Sequence, residues 1–238
     1  MKTLIFLALF LVGQVAAPTI PHYKTALVQP PVICGAQYAS RPLRIVVVGN
    51  SLAWSPPQEK FNWAQSNGMA ASSLQTDYAH ITCEALAERH RQSVALLVVQ
   101  AWAIESAVDT ERDLDPAHAE AINAFAPDVV VMQWSDNVIR VTPQRFGVGY
   151  GAFLAAIHAP MVACVGPWYD FAQRLADAMR AECGKRSGHY VDIADLFTAP
   201  NMRAESFDTD INHGVGSHPN DLGHLEIARR VVGAIEGQ

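Results

Sequence analysis

Four short apolar runs, at residues 45–48, 94–99, 129–132 and 161–165, recur along the 238-residue chain and constrain its fold more than any other feature. Each is of strand length and apolar throughout, with no alternation of apolar and polar residues. A strand without a polar face is covered on both sides, as in a parallel sheet between helices. A weaker run follows at 189–193. Between the runs lie segments with helical spacing, at 78–91, 116–125, 143–158, 168–183 and 221–235. In the last of these, Leu225, Ala228, Val232 and Ile235 line one helix face, and Pro219-Asn220 is a sound helix start. The alternation predicts a three-layer α/β/α sandwich with a mainly parallel five-stranded sheet wound by right-handed crossovers. Sites in such sheets gather at the carboxyl ends of the strands.

With half its residues hydrophobic and no internal repeat, the chain reads as one domain over 43–238, preceded by a Pro-rich leader at 18–42 (Pro18, Pro21, Pro30, Pro31). Residues 1–17 follow the export pattern: Lys2, an apolar stretch at 4–12, then Val15, Ala16 and Ala17. That stretch is too short to span a bilayer stably, so no membrane span is expected after its removal, and the expected location is secreted or periplasmic. Export leads to an oxidising compartment, where Cys34, Cys83, Cys164 and Cys183 allow three pairings. Cys164, inside an apolar run, equally suits a buried free thiol. The net charge of −6, with no basic patch carrying interleaved aromatics, excludes nucleic acid as a partner.

The residues that follow each strand share one rim: Asn50 and Ser51, then 101–105, then 134–137, then Pro167 and Trp168. A serine hydroxyl attacks well only when a base takes its proton, and His218, at the opening of the last helix, is the candidate base. The developing oxyanion needs waiting donors. The main-chain N–H of Ser51, an N–H of the Trp102–Ala103 turn (Ala103 in particular) and the Asn137 amide are the candidates. Trp102, Trp134 and Trp168 fall just after predicted strands, where a sugar ring could stack. Asp208, Asp210, His213, His218, Asp221 and His224 are metal-ligand types without tight ligand spacing, so no metal and no cofactor is expected. Asp221 reads as a helix N-terminal residue.

Taken together, these residues resemble the SGNH, or GDSL-like, serine hydrolases. Gly49-Asn50-Ser51-Leu52 is similar to that family's Gly-Asp-Ser block, Ser135-Asp136-Asn137 to its Gly-x-Asn block, and Ser217-His218-Pro219-Asn220-Asp221 to its histidine block. Asn67-Gly68-Met69-Ala70-Ala71-Ser72 is similar to a loop of one subgroup. The resemblance spans about residues 43–235 and implies a flavodoxin-like sheet, Ser51 as nucleophile, His218 as base and Asn137 in the oxyanion hole. The chain departs from the pattern in four ways. Asn50 replaces an acid, Ser135 replaces a glycine, no second-block glycine is evident at 100–105, and Val215 stands where an aspartate usually precedes the histidine by three. Asp208, Asp210 or a backbone carbonyl would then orient His218. The expectation is an exported serine esterase that forms an acyl-enzyme on Ser51 and acts on short acyl, chiefly acetyl, esters of a small molecule or glycan. The alternatives are a non-catalytic glycan-binding relative and an O-acyltransferase using the same residues.

Overall fold

The computed structural model describes residues 28–206 and 212–237. The expected export segment, the first part of the leader, and Asp208 and Asp210 lie outside the described residues. The strands are β1 (Val32–Cys34), β2 (Leu43–Gly49), β3 (Val94–Gln100), β4 (Val129–Gln133), β5 (Met161–Val165) and β6 (His189–Val191). They form one sheet in the order β1-β3-β2-β4-β5-β6, parallel except for β1, which runs antiparallel to β3. The sheet therefore has six strands, not five. The additional strand is a three-residue edge inside the stretch read as leader, too short to stand out as an apolar run.

The helices are α1 (Tyr78–His90), α2 (Trp102–Asp109), α3 (Pro116–Phe125), α4 (Pro143–Ala156), α5 (Ala176–Lys185), α6 (Ala194–Thr198), α7 (His213–Gly216) and α8 (Asp221–Ile235). Most of the long ones begin where the sequence offers a cap. Asp77 accepts from His80 N, Asp115 from Ala117 N, Thr142 from Arg145 N, and Asn220 from Leu222 and Gly223 N, with prolines at the first turn of α3 and α4. The expected helix at 168–183 is divided into a 3₁₀ turn (Asp170–Leu175) and α5.

The central strands bury both faces. Ile45, Val47, Leu96, Val98, Val129 and Val131 pack against α1 and α8, while Val46, Val48, Leu97, Val99, Val130 and Met132 pack against α2 to α5. Each such side chain contributes about 1.5–3 kcal/mol on burial, which is why these segments read as unbroken apolar runs. A disulfide ties each layer to the sheet: Cys34–Cys83 joins β1 to α1, and Cys164–Cys183 joins β5 to α5. Cys164 is thus bridged, not a free thiol. Closing chain separations of 49 and 19 residues, the two bridges restrict the unfolded chain by about 4 and 3 kcal/mol. No helix among the described residues is long and apolar enough to cross a membrane.

Register sets the rim. Gly49 pairs with Gln100 of β3 and with Gln133 of β4. The three central strands therefore end level, and Ser51, Trp102 and Ser135 leave the sheet at the same edge.

Candidate active site

The turn carrying Ser51 is fixed by its own backbone. Asn50 N donates to Gln133 O (3.2 Å), Ala53 N and Trp54 N both donate to Asn50 O (3.0 Å), and Leu52 N donates to the Asn50 side-chain oxygen (3.1 Å). Gly49 is required for this tightness, since a Cβ there would lie 2.4 Å from that of Ala53. The loop at 67–72 braces the turn from above through Met69 N, which donates to Ser51 O (2.8 Å). Buried His224 and Asp77 hold the loop in turn: His224 Nε2 lies 3.2 Å from Met69 O, and Gly68 N donates to Asp77 Oδ2 at 3.2 Å. A Cβ on Gly68 would sit 2.6 Å from Leu52 O and 2.8 Å from the His224 ring, so only glycine lets loop and turn approach.

His218 lies between α7 and α8. Asn220 caps α8, and Asp221, at its first turn, accepts from Ser72 N (2.7 Å) and Ser72 Oγ (2.6 Å), tying the histidine segment to the same loop. The result joins residues 167 apart in the chain: Ser51 Oγ lies 2.7 Å from His218 Nε2. Burial, reinforced by nearby His224, pushes the His218 pKa down from 6.5 to about 4, against an opposing pull from the main-chain oxygens of Gly214 and Val215. The ring is therefore neutral at pH 7, with Nε2 free to accept the Ser51 proton. Val215 itself packs with Trp63 and Met69 in a small apolar cluster. No carboxylate bonds to His218 among the described residues. The Tyr169 hydroxyl sits 3.2 Å from Nδ1 and 3.3 Å from Nε2.

Beneath the turn lie two buried carboxyls, Glu105 on α2 and Asp136 after β4. The Asn50 amide nitrogen donates to both, at 3.1 Å to Glu105 Oε1 and 3.0 Å to Asp136 Oδ2. Asp136 also accepts from Gln133 Nε2, Trp168 N and Tyr169 N. Glu105 accepts from Asn137 N (3.3 Å) and Asn137 Nδ2 (2.6 Å). Burial raises both carboxyls, Glu105 to about 7, with the Asp136 charge adding to the effect. The identity of residue 50 follows from this arrangement, because an amide can donate to two acids at once and an aspartate cannot.

Ser51 and His218 open onto a cavity of about 420 Å³, also lined by Asn137, Gln100, Trp102 and Tyr169. Asn137 is thus brought to the serine. Ala103 instead lines a neighbouring cavity of about 430 Å³, and the Trp102 N–H is already given to the Gln100 side chain. The Ser51 main-chain N–H has no partner among the described residues. Of the tryptophans expected at the rim, only Trp102 is there, at 60% exposure. Trp134 is buried against Phe146, Tyr150 and Phe153, and Trp168 against Phe197, because a position just after a strand does not decide which way a side chain turns. His213 is exposed and His224 buried, and no metal-binding group of side chains occurs among the described residues. Glu105 falls within the rim stretch 101–105 but is given no role by sequence, and Gln100 and Tyr169 are not singled out at all. The one signal for Glu105 was Asn50, an amide in place of an acid.

No protein-family model and no curated protein matches the sequence. Solved structures do match. One is the psychrotrophic esterase EstA from Pseudoalteromonas sp., in a structure inhibited by monoethylphosphonate (11% identity, TM-score 0.53, 82% of this chain and 97% of that one). Another is a protein from Parabacteroides merdae described as a GDSL-like lipase (14% identity, TM-score 0.56, 83% and 97%). A third, from Slackia heliotrinireducens, is described as an SGNH hydrolase (17% identity, TM-score 0.50, 82% and 100%). Over four-fifths of its length, the chain has the fold of the SGNH hydrolases.

Proposed function

We propose that this chain is a serine esterase that cleaves short acyl esters by a Ser51–His218 dyad. The observation that carries the reading is the 2.7 Å contact between Ser51 Oγ and His218 Nε2 at the mouth of a cavity of about 420 Å³. Ser51 Oγ attacks the ester carbonyl as its proton passes to Nε2, and the Ser51 N–H and the Asn137 amide receive the oxyanion. His218 then returns the proton to the departing alcohol. In the second half a water gives its proton to His218 and attacks the acyl-enzyme, the bond between the acyl carbon and Ser51 Oγ breaks, and His218 returns the proton to Ser51 as the acid leaves. The Tyr169 hydroxyl lies 3.2 Å from Nδ1, the ring nitrogen that a carboxylate holds in a triad. The test is incubation with a fluorophosphonate and peptide mass spectrometry, alongside a nitrophenyl ester series. A phosphonyl adduct on Ser51 with turnover of short esters supports the reading, while an unmodified serine and no turnover leave the glycan-binding alternative.

The pH dependence has a definite sign. His218 must be neutral to accept a proton, so activity is lost as pH falls through its pKa. With that pKa pushed from 6.5 to about 4, the final acid loss of kcat/KM is expected near pH 4, well below the limb of an unperturbed imidazole. Initial rates on nitrophenyl acetate from pH 3 to 8 check this.

The alcohol side of the substrate is read as a carbohydrate. The two cavities share Gln100 and Trp102, so the exposed indole stands between the serine and a second space lined by Ser106, Arg112, Asp113 and His118. An apolar ring face beside mixed donors and acceptors suits a sugar ring. Two disulfides suit an exported enzyme. Trp102→Ala is expected to remove about 1 kcal/mol of stacking, raising KM for an acetylated sugar roughly fivefold while leaving nitrophenyl acetate unchanged. Equal effects on both substrates would reject the stacking role.

A further inference from the structure

We propose that Glu105 is a positioning residue whose negative charge fixes which way the Asn137 amide faces, so that one of its N–H groups is kept for the oxyanion. The inference rests on the esterase reading for its effect on rate. The geometry is one of donors alone: the Asn50 amide and the Asn137 main-chain N–H meet Glu105 Oε1, and Asn137 Nδ2 meets Oε2 at 2.6 Å. A carboxylate accepts all three. A carboxylic acid or a glutamine offers only one oxygen that is purely an acceptor and puts a donor against one of its neighbours. Two of those neighbours cannot turn, since one is backbone and the other is also held by Asp136 at 3.0 Å. The Asn137 side-chain amide can turn over. Doing so presents its oxygen to Glu105 and takes Nδ2, with its second N–H, away from the position beside the cavity that Asn137 lines. Ionised Glu105 takes one of the two Nδ2 hydrogens and leaves the other for the substrate.

The groups around Glu105 make this switch a local one. Asp136, after β4, is the other ionisable group acting on it. Tyr78 on α1 and Tyr169 after β5 both feel Asp136, and burial keeps both phenols neutral. Asp109, one turn along α2, is turned to Ile139 N, Arg140 N and the Arg140 guanidinium. His218 is neutral above pH 5, its own pKa lying at about 4. No lysine or arginine bonds to either buried carboxyl among the described residues. Ionisation of Glu105, raised by burial to about 7, is therefore the change that the Asn137 amide reads in the neutral range.

The test pairs kinetics with a signal independent of turnover. In wild type, kcat is expected to rise roughly 100-fold, the worth of one oxyanion donor, through a step near pH 7. Below the step a lower plateau persists until the His218 limb. In Glu105→Gln the profile lies on the low plateau from pH 5 to 9 with KM nearly unchanged, Asn137→Ala loses the step, and the double variant equals Asn137→Ala alone. In ¹⁵N-labelled wild type, the Asn137 side-chain amide resonance, identified by its loss in Asn137→Ala, shifts near pH 7 and does not in Glu105→Gln. An amide resonance indifferent to pH from 5 to 9, or additive Glu105→Gln and Asn137→Ala effects, would overturn the proposal. A titrating amide in a protein without Ser51-dependent turnover would leave the Glu105–Asn137 coupling standing and reject the esterase reading instead.

Discussion

Ser51→Ala is expected to lower kcat by about 10⁵-fold or more, His218→Ala to do nearly the same, and the double variant to be no worse than either. The non-additivity follows from the chemistry. The hydroxyl and the imidazole perform one act, transfer of a proton along the 2.7 Å contact as the carbonyl is attacked, and neither retains value without the other. What survives is the contribution of the oxyanion donors and of substrate binding, which leaves a residual rate above water. Stability should barely change in Ser51→Ala. The turn is held by the Asn50 carbonyl and side chain and by Met69 N on the Ser51 carbonyl, all of which an alanine keeps. Steady-state rates on nitrophenyl acetate, with thermal melts and phosphonate labelling on the same preparations, make the comparison. A Ser51→Ala protein that turns over within tenfold of wild type would mean that another group is the nucleophile.

The main strands were legible because their burial on both faces leaves a mark that composition alone carries: a strand such as β4 (VVVMQ) has no solvent side to record. The same reasoning passed over β1, where three residues at an edge leave no pattern, and α2, which begins directly at the end of β3 on Ala101 with no side-chain cap to announce it. That second omission matters at the site. α2 delivers Glu105, and a carboxylate folded back under its own strand end has no local signature. Ser51, Asn137 and His218 were legible as types at the ends of elements, and the level register of β2, β3 and β4 accounts for two of the three meeting. The inward turn of Trp134 and Trp168 was not legible, since it depends on aromatic partners supplied by α4 and by Phe197.

Asn50→Asp, which restores the acid that the resemblance leads one to expect beside the serine, is expected to destabilise this protein by about 3–5 kcal/mol, lowering Tm by roughly 10 °C. The amide nitrogen at position 50 donates at 3.1 Å to Glu105 and 3.0 Å to Asp136, both buried. An aspartate replaces that donor with an oxygen, so two hydrogen bonds become two repulsive contacts and a third carboxyl joins a site without a bonded cation. The pH dependence separates this cause from a simple packing defect. Burial among acids raises the pKa of the new carboxyl in the folded state above its unfolded value of about 3.9. The folded protein then holds a proton that the unfolded chain releases, and stability falls as pH rises through the window between the two values. The deficit relative to wild type should therefore be small near pH 4 and full at pH 8, as thermal melts of both proteins at the two pH values will reveal. A deficit of equal size at both, or none at all, would mean that position 50 does not bridge the two acids and that the amide is there for another reason.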